Sequence, residues 1–90
     1  MSRYSAVLEN GNEVAWGHDI PLNEFFIQEF PANDEDEPLF CIGNNFSLNP
    51  HPRYPKKTVF TNEELVDVFN DYKDVIPPAH ILSVACNKPF

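Results

Sequence analysis

The residues best equipped for chemistry gather in one short stretch, Trp16-Gly17-His18-Asp19-Ile20-Pro21-Leu22. An indole, an imidazole and a carboxylate at a turn could form a small recognition site. His18 and Asp19 could also act as an acid–base pair, since histidine titrates near neutral pH. The same residues have a plainer use. Gly17 permits a bend, Asp19 can accept from turn N–H groups, and Trp16 and Leu22 anchor the corner; this structural role is the favoured reading. A second grouping, Arg53, Tyr54, Lys56 and Lys57 with His51, lies in the long connection 44–60 and holds half of the bases. Long connections in small domains often carry function, and these bases could touch a phosphate or an acidic partner. Local charge balance on an acidic protein accounts for them more simply.

Other reaction types find little support. Zinc needs three or four converging ligands, usually including a close pair, and no two of His18, Cys41, His51, His80 and Cys86 stand at such spacing. His80 and Cys86 are six apart, on different faces of a helix, which separates a nucleophile from its base. Three glycines hardly furnish a phosphate-binding loop, and no Gly-x-Ser-x-Gly is present. The run Asp34-Glu35-Asp36-Glu37 could grip Ca²⁺, but it lacks the alternating acids, central Gly and distal Glu of an EF-hand and reads as a solvated loop. No cofactor is expected, and the residues lean against an enzyme.

The elements that must position these groups follow from spacing. Asn10-Gly11, between residues 4–9 and 12–16, signals a hairpin with a two-residue turn. That loop would set Val7 opposite Val14 and Ser5 opposite Trp16, with Ala6, Leu8 and Ala15 on the other side. Residues 22–30 fit helix and strand templates about equally, but aromatic and β-branched content favours a strand over 24–30. Leu39-Phe40-Cys41-Ile42-Gly43 reads as a fourth, buried strand. Thr61 and Glu64 form a capping box for a helix over 62–72, with Leu65, Val66, Phe69 and Tyr72 on one stripe. Pro77-Pro78 starts a second short helix over 79–86.

The run Trp16-Gly17-His18-Asp19-x-Pro21-Leu22-x-x-Phe25-Phe26 resembles a motif of a group of small uncharacterised bacterial proteins, aromatic-Gly-aromatic-Asp-x-Pro-Leu-x-x-Phe-Phe. Their further order is similar: an acidic stretch, an apolar segment ending in Gly, a Thr-capped helix and a Pro-led final helix. His18 departs from the motif by replacing an aromatic. The resemblance implies the order of the fold and no activity.

Ninety residues with 42 % hydrophobic content and eight Phe make one globular domain. The fold class expected is α+β: a four-stranded antiparallel meander covered on one face by two C-terminal helices. The core is expected from Val7 or Leu8, Trp16, Phe26, Ile42, Leu65, Phe69, Ile81 and Leu82. Fourteen acids against six bases give a net charge of −8, which argues against nucleic acid and an anionic membrane surface as partners. There is no apolar leader or membrane span in the sequence, so the expected location is the cytoplasm, and there both cysteines are expected as thiols.

Three functions follow. The first is a non-enzymatic module that binds a protein or its own copy, a homodimer, through the uncovered sheet face; Phe25, Phe40 and Tyr4 would supply its patch if they stay exposed. The second is a small-molecule-binding or enzymatic domain centred on Trp16, His18 and Asp19. The third is an acidic nucleic-acid mimic of a mobile element, ranked last because four acids crowd one loop instead of lining a face.

Overall fold

The computed structural model describes residues 2–19, 23–32 and 37–90. The chain runs β1 (Ser2–Val7), β2 (Glu13–Asp19), β3 (Glu24–Phe30), β4 (Phe40–Gly43), β5 (Ser47–Asn49), α1 (Asn62–Asn70) and α2 (Pro78–Ala85). The strands pair antiparallel in chain order. The four strands and two helices legible in the sequence are in place. The fifth, β5, lies within the segment that reads as irregular and pairs with β4 across a bulge at Cys41/Ile42.

The first hairpin departs from expectation by one residue. Asn10 does not take the positive φ that a two-residue turn demands of it. Gly11, at φ +90°, instead donates its N–H to Leu8 O (2.9 Å), while Leu8 N–H donates to Asn12 O (2.7 Å). This is a type I turn closed by a glycine in the left-handed region, a three-residue loop. Ala6 therefore faces Val14 and Tyr4 faces Trp16. A one-residue slip exchanges the faces of a strand: Tyr4, Ala6 and Leu8 join Val14 and Trp16 toward the helices, and Val7 points outward, 68 % exposed. The core decides the register, because Tyr4, Ala6 and Leu8 bring more apolar surface to it than Ser5 and Val7 would.

Pairing of Trp16 with Ile27 and of Ile27 with Ile42 carries the apolar row across the sheet. Phe25, Ile27, Phe40 and Ile42 pack there against Phe60, Leu65, Val68, Phe69, Ile76 and Val84. Phe26 is also buried but lies on the opposite, outer face, as alternation along β3 requires. In α1 the inward stripe is Leu65, Val68 and Phe69. Thr61 Oγ accepts from Glu64 N–H (3.2 Å), and Glu64 Oε1 accepts from Thr61 N–H (3.0 Å), completing the capping box. In α2 the phase set by Pro78 at the first turn buries Val84 and turns the expected core residue Leu82 outward, 64 % exposed.

Asn44 joins the layers. Its Oδ1 accepts from Phe25 N–H (2.8 Å), and its amide nitrogen donates to Phe60 O (3.0 Å) and Asn62 Oδ1 (2.8 Å). Gly43 permits the close approach beside it: a Cβ there would meet the Phe46 ring and Phe25 O at 2.4 and 2.9 Å.

Candidate functional site

Alternation along β2 separates the members of the proposed turn site. Trp16 and His18 face the helices, whereas Asp19, one residue on, belongs to the outer face beside Glu24. The three side chains do not converge, which corrects the expectation of a pocket formed by them. Ile20, Pro21 and Leu22 lie outside the described residues, as do Asp34, Glu35 and Asp36 of the acidic run.

What Trp16 meets is His80, 64 positions along the chain. The indole N–H donates to His80 Nδ1 at 2.9 Å. Because Nδ1 accepts, the proton of the neutral ring sits on Nε2. The His80 ring stacks on Phe90 (centroids 4.5 Å, planes 4° apart) and tilts against Tyr4 at 4.5 Å. Burial holds the His80 pKa below its ordinary value. His18 is buried against Phe25 (4.6 Å), with Nε2 3.0 Å from Asn23 Oδ1. With the proton on Nε2 donated to that oxygen, Nδ1 has no hydrogen-bond partner among the described residues. These rings form an aromatic seam under α2.

Phe25 and Phe40 belong to the core and not to a surface patch, a second correction. Phe25 is closed in by His18 and Phe90, and Phe40 by His51 (4.7 Å) and Tyr72 (6.2 Å). Their positions on the helix-facing row follow from the pairing of β2, β3 and β4. Tyr4 alone of the three keeps substantial exposure, 40 %.

The loop bases are turned onto α1. Arg53 reaches Asp67 (3.2 Å) and Asp71 (2.7 Å), and Tyr54 OH donates to Asp67 Oδ2 (2.8 Å), which raises the tyrosine pKa. Lys57 pairs with Glu64 at 2.7 Å. Exposed pairs of this kind contribute about 0–1 kcal/mol each, so their effect is to fix the loop's course. His51 Nδ1 accepts from Arg53 N–H (3.2 Å). Burial first, and the Arg53 charge second, lower the His51 pKa. Beneath it Tyr72 OH donates to Glu29 Oε1 (2.5 Å), and Asn12 Nδ2 donates to Oε2 (2.7 Å). Burial and that carboxylate push the Tyr72 pKa far up, so the phenol stays protonated. This latch ties the end of α1 to the first hairpin; neither it nor the Trp16–His80 bond has a local sequence signal.

No group of three His, Cys, Asp or Glu among the described residues is placed to hold a metal ion. Cys41 is buried and Cys86 exposed, both as thiols, and burial raises the Cys41 pKa. No described helix is long and apolar enough to cross a membrane.

Neither α1 nor α2 packs on the outer side of the sheet, where Ala15, Gly17, Phe26 and Cys41 are nevertheless buried. That side carries Arg3, Ser5 and Val7 from β1, Ala15 and Gly17 from β2, Phe26, Gln28 and Phe30 from β3, and Cys41 from β4. The Gln28 amide, with its oxygen turned to Arg3, accepts from both guanidinium nitrogens (3.0 and 2.6 Å). Arg3 is thereby drawn across the face. Leu39, beside β4, is 53 % exposed. Compared with known proteins, the chain matches no family model, no curated protein and no solved structure.

Proposed function

We propose that this chain is a non-enzymatic protein-interaction module working through the side of the sheet that the helices leave open. One observation carries the reading. The groups fit for chemistry are engaged within the fold, Trp16 by His80, Arg53 and Tyr54 by α1, and Phe25 and Phe40 by the core. On the side away from the helices, exposed Val7 and Leu39 meanwhile flank a half-buried Phe30. Apolar side chains on such a surface are what a protein contact buries. Arg53 and Lys57 are occupied by acids of α1, so neither stands free to receive an anionic ligand.

The test is a photo-cross-linking residue placed in the full-length protein in its cells, in turn at Val7, Leu39, Lys56 and Glu63. Cross-linked adducts are expected from Val7 and Leu39, with Lys56 and Glu63, exposed in the loop and on α1, giving few or none. Equal yield from all four positions, or none from Val7 and Leu39, contradicts the proposal.

A further inference from the structure

The sheet has two edges, and they differ. At the β5 edge the strand is three residues long and runs directly into Pro50 and Pro52. Short strands and prolines are common means of blunting an edge against pairing. At the other edge β1 runs for six residues, Ser2–Val7, with no proline, glycine or bulge and no acid. Its one charge, Arg3, is drawn onto Gln28 across the outer face and does not guard the edge. The Leu8–Asn12 bond fixes which backbone groups are free. Tyr4, Ala6 and Leu8 turn theirs toward β2, and those of Arg3, Ser5 and Val7 point away from the sheet. No hydrogen bond from a described residue reaches them.

We infer that β1 is a pairing edge and that its partner is a second copy of this chain, joined antiparallel about a twofold axis at Ser5. This rests on the interaction reading above and names its partner and mode. The pairing is self-complementary. Ser5 meets Ser5 of the second copy, Arg3 meets Val7, and Tyr4 meets Ala6, so each outward N–H finds an outward carbonyl. A twofold interface must satisfy this condition. Charge selects the same edge. A chain of net charge −8 repels its copy over most of its surface, whereas residues 2–8 carry one positive charge and no negative one. Arg3 would lie opposite Val7 and not opposite another arginine. The axis stands normal to the sheet, so both helical layers lie on one side. Tyr4, 40 % exposed in the single chain, would be covered against Ala6 of its neighbour.

The experiment is solution mass by sedimentation across a wide concentration range, for the wild type, Ser5→Glu, Ser5→Lys and an equal mixture of the two variants. The wild type should move from 10.3 kDa to twice that mass as concentration rises. Each variant alone places like charges directly opposite each other and should weaken the dimer by about tenfold or more. The mixture should restore it. Val7→Glu and Val7→Arg check the register even if a Ser5 variant fails to fold. The former sets a carboxylate against Arg3 and should keep or tighten the dimer, and the latter should loosen it. A wild type that stays at 10.3 kDa throughout, or a dimer indifferent to all four substitutions, overturns the inference. In either case adducts to a different protein from Val7 or Leu39 would leave the interaction reading standing.

Discussion

The Trp16–His80 bond ties the middle of the sheet to the last helix through a single acceptor nitrogen. Protonating Nδ1 would set two N–H donors face to face. His80 and His51 both have pKa values lowered by burial, so the unfolded chain binds more protons than the native one below the ordinary histidine value of about 6.5. Their contribution to stability is full above that pH and is lost as pH falls through it toward the depressed native values. Urea midpoints should therefore decline between pH 7.5 and 5. Emission from Trp16, the chain's only indole, should change with an apparent pKa under 6.5 in the native protein. Flat emission across that range would contradict the assignment of the bond.

Asn44 is the other residue on which much depends. Asn44→Ala leaves the Phe25 amide and the Phe60 carbonyl without their partner near the core. A loss of about 1–3 kcal/mol is expected, read as a lowered denaturant midpoint with an unchanged slope.

At the scale of elements, the helices invite two measurements. Thr61→Ala removes one half of the capping box and should cost about 1 kcal/mol. In α2, Val84→Ala opens a cavity in the core and should cost on the order of 2 kcal/mol. Leu82→Ala should stay within about 0.5 kcal/mol because that side chain faces water. Equal losses at the two positions would mean that the phase of α2 is wrong.

These elements were legible because their signals are local. Thr61 and Glu64 lie within one turn, Pro77-Pro78 marks a start, and Phe25 and Ile27 alternate. The register of the first hairpin was not. Asn10-Gly11 is compatible with turns that differ by one residue, and only the apolar row from Tyr4 to Ile42 chooses between them. The candidate site was less legible still. Trp16 and His18 read as neighbours of Asp19 along the chain, but strand geometry sets Asp19 on the other face. The actual partner of Trp16, His80, comes from the far end, while His18 meets Asn23 and Phe25. Phe25 and Phe40 read as surplus aromatics along their strands, and only the core cluster they share with residues as distant as Phe60 and Val84 buries them.

At the scale of the molecule, the helices close one face of a sheet, and exposure on the other side is concentrated at Val7, Leu39 and the β1 edge. Residue chemistry spent on internal contacts and an unguarded edge together describe a surface for another chain. Amide exchange followed residue by residue, in dilute and in concentrated protein, is the most direct test. The N–H groups of Tyr4, Ala6 and Leu8 should exchange slowly throughout. Those of Arg3, Ser5 and Val7 should be fast when dilute and slow once the chains pair. If Arg3, Ser5 and Val7 exchange at the same fast rate at every concentration, the edge does not pair with its copy.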